Sequence, residues 1–423
     1  MQSTVGRLAR VLILLFLPLC LHAQDSIFYR RGDDVTLRIA VIGPGNELYF
    51  WWGHIGLVVE DNLTGRSWFF DWGVFSFDSD NFFVDFAMGR PTYSCMVSTA
   101  ESSFNVYFRT NRDIVLYTLD LPPQNKEEVL RFAEINMLPE NRDYRYHHFL
   151  DNCATRIRDI LDIGLEGRLY AHYGEIPSNF TFRQHVRRHT WFNPFFDWLL
   201  NFWMGQVIDR PITVWDDMFL PSEIGKLINE FTYIDSLGRE RALVSSVEIL
   251  NTSIGRPAVL DTPRIQWPRN LIASLVFLAA LSFFSIKIAG ERAFRMTLGL
   301  TQALSSLLLG IAGSMLFFMQ FFSDHDYTFQ NINIIFANPL FLLLVPAGIF
   351  IAFHKDEVKR QKAIKYSKFF WAYVFIACLL TVPIKLLPLF YQQNQVTQVM
   401  VIPFSLIMVF LLIYLDRRLG KAP

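Results

Sequence analysis

Cys153 and His54 are the side chains whose type and setting could do chemistry. Asp151 and Asn152, good capping residues, stand directly before Cys153, and Ile157, Ile160 and Leu161 follow at helical spacing. Cys153 is therefore expected in the first turn of a helix. The partial positive charge there favours a thiolate, and the free N–H groups, with Asn152 beside them, can position or stabilise an oxyanion. His54 opens a β-rich run in which Ile55, Leu57 and Val59 share one face and His54, Gly56 and Val58 the other. A turn at 61–65 and a second strand, Ser67 to Trp72, predict a hairpin that brings Asp71 near His54. A thiolate within reach of an imidazole, itself oriented by a carboxylate, is a layout for nucleophilic acyl chemistry. Plainer readings stand beside it. A lone Cys is most often a small core residue, and a His on a strand a hydrogen-bonded core group. Cys153 could also pair with Cys95 in an oxidising compartment. His147 and His148 are rival bases.

The surrounding elements set where this chemistry would run. Residues 1–23 read as a secretory signal, with Arg7 and Arg10 before the apolar run Val11–Leu21 and Ala23 at its end. Residues 24–265 then form an aromatic-rich domain outside the cytoplasmic membrane. Only 18% of the 423 residues are charged, below the usual quarter or so. The apolar excess lies beyond 266, in stretches near 270–289, 297–322, 335–353, 369–391 and 399–415, each of membrane length. Loops 287–295 and 354–368 and the tail with Arg417, Arg418 and Lys421 are basic. Loops 323–331 and 392–398 hold no Lys or Arg. This alternation puts the C-terminus in the cytoplasm and residues 24–265 in the periplasm. Thirty-nine basic residues balance 39 acidic ones, so no basic footprint points to nucleic acid. The reading calls for no metal and no cofactor. The aromatic stretch 191–203 is expected as core beneath the catalytic helix or as an interfacial helix. Lys385 is expected to snorkel to the outer surface.

Four blocks carry a family likeness: Gly-Pro-Gly-Asn-Glu-Leu-Tyr-Phe-Trp-Trp-Gly-His (43–54), Asp-Trp-Gly-Val-Phe-Ser-Phe (71–77), Asp-Asn-Cys-Ala-Thr-Arg-Ile-Arg-Asp (151–159) and Met-Phe-Leu-Pro (218–221). Together with Asp324-His325-Asp326-Tyr327-Thr328, Asn331, Asn333 and Asn338-Pro339-Leu340, they resemble the Lnb family, lipoprotein N-acyltransferases of Bacteroides-type bacteria. The resemblance implies an α+β, papain-like, circularly permuted NlpC-type domain followed by an all-α membrane domain of five transmembrane helices. It implies nucleophile Cys153 and base His54, a phospholipid acyl donor and a diacylated lipoprotein acceptor. The chain departs from the family in carrying Asp71 where Asn is usual, and His147 near a usual acidic position. The polar cluster Asp324, His325, Thr328, Asn331, Asn333 and Asn338, at membrane depth, is expected to bind substrate or else to cap and tie helices. A membrane-tethered cysteine peptidase or amidase acting on cell-wall peptides, and a non-catalytic binding module, are the competing functions.

Overall fold

The computed structural model describes residues 30–75, 81–235, 238–288 and 290–419. The signal segment 1–23, Ser76, Phe77 and Lys421 lie outside them. Packing divides the chain into two compact units. The first comprises Met1–Phe82, Pro91–Asn179 and Ile212–Pro257, and the second Phe83–Arg90, Phe180–Pro211 and Ala258–Pro423. The second therefore takes two segments from before the composition change near 265.

The first unit is built on an antiparallel sheet. Its strands are β1 (Val35–Ile42), β2 (His54–Asp61), β3 (Ser67–Val74), β4 (Thr92–Thr99), β5 (Ile114–Leu119), β6 (Asp143–Arg145) and, after a small hairpin of β7 (Thr232–Ile234) and β8 (Glu240–Ala242), β9 (Val244–Asn251). The seven-stranded order is β6-β4-β3-β2-β1-β5-β9. Alternation sorts the strand residues. Val35, Leu37, Ile39, Ile55, Leu57 and Val59 join one core with Ile157, Ile160 and Leu161 of the Cys153–Gly164 helix. Ala40, Ile42, Val58 and Phe69 join another, with Phe104 and Tyr107 of the Ala100–Arg109 helix. Ile157, Ile160 and Leu161 are each at most 1% exposed. Each contributes roughly 1.5–3 kcal/mol of transfer free energy, which fixes the axis of the helix and so the place of Cys153.

Among the described residues, the second unit holds five helical segments long and apolar enough to cross a membrane: Trp267–Lys287, Glu291–Phe322, Ile332–Phe353, Glu357–Ile384 and Gln395–Arg418. Four differ from the sequence expectation: the second and fifth begin at Glu291 and Gln395, inside stretches expected as loops. The third is broken: 3-10 turns at Ile332–Ile335 and Pro339–Leu344 precede a short α-helix, Val345–Phe353. Asn338 caps the second turn by accepting from the Leu340 amide, and prolines at 339 and 346 lack the donors a continuous helix needs. The fourth begins at Glu357, inside the basic stretch expected as a loop, because Asp356 caps it through the amides of Val358 and Lys359. Glycines let the second and third spans touch backbone to backbone. A Cβ on Gly299 would lie 2.5 Å from the Ala352 amide nitrogen, and one on Gly348 2.6 Å from the Gly299 carbonyl. Part of the aromatic stretch is core of this unit: Phe202 packs with Phe294, Phe336 and Trp371, and Trp198 and Trp203 flank that cluster, while Phe195 is 59% exposed.

Candidate active site

The first turn of the cysteine helix is held by a reciprocal cap. Asn152 Oδ1 accepts from the amides of Ala154 (2.8 Å) and Thr155 (2.9 Å), and Thr155 Oγ1 accepts from the Asn152 amide (2.8 Å). Asn152 Nδ2 donates to the carbonyls of His148 (2.6 Å) and Phe219 (3.1 Å). Both amide hydrogens are thereby committed, so Asn152 positions the turn and has none left for an oxyanion. The Cys153 backbone N–H, by contrast, is not used by this cap.

His54 is the first residue of β2, opposite Ile42 at the end of β1, so the site lies at an end of the sheet. β2 and β3 pair as the predicted hairpin, and β3 is irregular between Asp71 and Val74. There Asp71 Oδ1 accepts from the Gly73 amide (2.6 Å) and faces His54 Nε2 at 3.0 Å. His54 Nε2 has no aligned hydrogen bond, so this contact is charge facing charge. Gly73 leaves the imidazole its room: a Cβ there would meet His54 Cε1 at 2.5 Å and Nδ1 at 3.1 Å.

The pair is mostly enclosed, with side chains 12% (His54) and 21% (Asp71) exposed. Burial pulls the His54 pKa down, but the Asp71 carboxylate, then Tyr107 and Cys153, more than offset it and hold the imidazole well above its usual 6.5. For Asp71, burial pushes upward and is outweighed by His54, the Gly73 amide and Arg112, which leaves the carboxyl below its usual 3.8. Both shifts favour a charged pair.

Cys153 and His54 line the same cavity of about 60 Å³, along with Trp52, Tyr93, His148 and Asn152. Cys153 is not bridged to Cys95; both thiols are free. Cys95 is 1% exposed, and burial pushes its pKa up to about 12, the behaviour of an inert core thiol. Of the rival bases, His147 is turned to its own loop, where Nδ1 accepts from the amides of Phe149 and Leu150. His148 does reach the cavity, but burial, then His147, lowers its pKa to about 3, so it stays neutral and is a weak base. Apart from His54 Nε2, two polar atoms of cavity-lining residues are buried without a hydrogen-bond partner among the described residues: His148 Nε2 and Trp52 Nε1. Trp51, its neighbour, donates to the Asn46 carbonyl. Sequence reasoning overlooked Trp52; the only sign of it was a paired Trp just before the histidine. Among the described residues no three His, Cys, Asp or Glu are grouped as metal ligands.

The polar cluster of the second unit is assembled: His325, Thr328, Asn331 and Asn333 are buried, while Asp324 is exposed. His325, 6% exposed, contacts the Phe86 carbonyl through Nε2 (2.8 Å) and the Tyr327 hydroxyl through Nδ1 (2.7 Å). Thr328 donates to the His325 carbonyl, and Asp324 pairs with Arg90 at 2.9 Å. Asn331 Nδ2 donates to the carbonyls of Phe202 and Trp203, and Asn333 Nδ2 to that of Phe202. Their Oδ1 atoms accept from Gln392 and Asn394. Asn338 caps a 3-10 turn. In the structure these six residues tie loops and helix ends together.

A Cys, a His and a carboxylate are carried on a helix start and a β-hairpin of one unit, and the described residues include five membrane-length helices, which mark a multi-pass membrane protein. Residues 29–188 match the Lnb N-terminal periplasmic domain, and residues 264–418 match the Lnb transmembrane domain. The chain belongs to the Lnb family. Neither a curated protein nor a solved structure matches it.

Proposed function

We propose that this protein moves a fatty acyl group from a membrane phospholipid, through a thioester on Cys153, to the terminal amine of diacylglyceryl-cysteine lipoproteins. The observation that carries the reading is the opening of Cys153 and the Asp71-paired His54 onto one cavity. With Nε2 turned to Asp71, Nδ1 is the nitrogen left to exchange protons with the thiol.

In the first half-reaction, His54 holds the proton taken from the thiol, and the Cys153 thiolate attacks the ester carbonyl. The C–O bond breaks, His54 returns that proton to the alkoxide, and a lysophospholipid leaves. In the second, the amine of the acceptor attacks the thioester. The C–S bond breaks, and the amine proton returns through His54 to the sulfur. The Cys153 N–H and Trp52 Nε1–H supply donors for the oxyanion of both steps, and neutral His148 adds a third when its Nε2 carries the proton. Amines attack thioesters readily, and a cavity of about 60 Å³ with aromatic walls admits only a few water molecules, which favours transfer over hydrolysis.

In this reading the domain lies in the periplasm and the spans in the inner membrane, an orientation the alternating loop charges favour. Both substrates keep their chains in the bilayer and present their reacting groups at its surface. The test is transfer of an isotope-labelled acyl chain from phospholipid to a synthetic diacylated lipopeptide by the full chain in lipid nanodiscs. The reading expects a triacylated product that disappears with Cys153→Ser. Product formation by that variant, or cleavage of soluble cell-wall peptides without acyl transfer, would refute it.

A further inference from the structure

The second unit contains a larger cavity, about 640 Å³, which lies within the range of sites that hold small molecules. Its walls differ in chemistry. One comes from the segment after the fourth span, with Lys385, Leu386, Pro388 and Tyr391. This segment is apolar yet open: Leu386 is 85% exposed and Leu389 68%. The other wall comes from residues 206–211, with Gln330 completing it.

The second wall is preformed. Arg183 is fully buried, and its guanidinium binds Asp209 (2.9 Å) and the carbonyls of Asn201, Met204 and Gly205. The other Asp209 oxygen accepts from the Gln393 amide. Gln330 holds a left-handed backbone (φ 54°), unusual for a residue with a side chain, and its Oε1 accepts from Gln206 Nε2.

The charges of the cavity do not cancel. Asp209 is neutralised by Arg183, which leaves two cations. Arg210 is exposed and makes no hydrogen bond or ion pair among the described residues. Lys385 Nζ donates to the neutral Gln398 amide oxygen (2.7 Å), with no carboxylate in ion-pair range. Two cations beside amide groups suit a phosphate diester, and the open apolar wall suits acyl chains. With the proposed orientation, Lys385 follows the outer end of the fourth span, at headgroup level.

We infer that this cavity seats the phosphate diester of a membrane glycerophospholipid, between Arg210 and Lys385, with the lipid chains leaving past Leu386. The polar cluster around His325 already makes its bonds to protein, and this cavity offers the headgroup a different seat. The inference deepens the acyltransferase reading by giving its donor lipid a place to bind.

The test uses the full chain carrying Cys153→Ala, so that binding is read without turnover. It is embedded in nanodiscs containing equal amounts of dioleoyl phosphatidylglycerol and dioleoylglycerol, and retained lipid is counted by native mass spectrometry. The phosphate lipid should be retained at least tenfold over dioleoylglycerol. Arg210→Gln with Lys385→Gln should abolish that preference, and Arg210→Lys with Lys385→Arg, a control for folding, should keep it. Equal retention of the two lipids, or a preference unchanged in the Gln pair, would overturn the inference. So would soluble glycerol 3-phosphate binding as tightly as the whole lipid, which would mark a site for free phosphate esters. If the acyltransferase reading alone is wrong, wild-type protein forms no acyl adduct while the lipid preference persists.

Discussion

Gly73→Ala tests whether His54 does the proton transfer while leaving every reacting group chemically intact. Gly73 does not have the positive φ that makes side chains strained, so the backbone accepts alanine. The obstacle is the imidazole. The new Cβ would sit 2.5 Å from His54 Cε1, 3.1 Å from Nδ1 and 3.2 Å from Asp71 Oδ1. Ordinary contact begins near 3.4 Å, so the ring must move by roughly 1 Å. A displacement of that size typically costs about 100-fold in rate, or about 2.7 kcal/mol of barrier. The assay is the rate at which an acyl adduct accumulates on the full chain in phospholipid nanodiscs, followed by intact-protein mass spectrometry, with the unfolding midpoint measured alongside. We expect a loss of one to three decades in the adduct rate with the lipid still bound. A folded variant acylating within about threefold of wild type would show that the imidazole at this position is not the working base.

Asp71→Asn keeps the shape and removes the charge. His54 loses its principal upward influence, burial takes over, and the alkaline limit of activity moves to lower pH in a pH–rate profile. The raised His54 pKa stabilises the fold fully below about 6.5, and that contribution fades as pH rises through the folded value. The lowered Asp71 pKa contributes above about 3.8 and is lost as pH falls through its folded value. The stability gap between wild type and variant should therefore be widest between those two pH values, at about 3 kcal/mol for a mostly buried pair, and should narrow on the alkaline side in denaturant titrations. Asn152→Ala removes a cap worth about 1 kcal/mol and leaves the buried carbonyls of His148 and Phe219 without their donor. A total loss of about 2–4 kcal/mol is expected in chemical denaturation. Trp52→Phe retains the ring and deletes the unpartnered N–H. Acylation should slow by about 100-fold with phospholipid retention unchanged, as measured by single-turnover kinetics.

What the sequence revealed follows from how local each signal was. The cysteine helix was legible because its cap, its nucleophile and its apolar stripe lie within ten or so residues. The hairpin was legible because a turn fixes the register of its strands, and that register carries Asp71 to His54. The broken third span was not legible: hydropathy reports length, while the breaks arise from prolines and an Asn cap inside an apolar run. The fourth span was misplaced at its start because a basic stretch reads as a loop, whereas Lys and Arg sit comfortably on the first turns of a helix outside the bilayer core. The helix Pro194–Trp203 was recognised as apolar, but nothing in composition says against which unit an aromatic face packs. The polar cluster around His325 was found by residue type alone. Only coordinates show that its donors and acceptors are already used, and that the unpaired cations are Arg210 and Lys385, neither part of a conspicuous motif.

The central claim is that Cys153 carries the acyl group. Full chain in phospholipid nanodiscs, with no acceptor added, should accumulate one fatty-acyl mass that hydroxylamine removes. Proteolysis and tandem mass spectrometry should map it to the peptide containing Cys153, and a diacylated lipopeptide should discharge it. An adduct found on another residue, or none on a folded protein that still converts lipopeptide, would contradict the account.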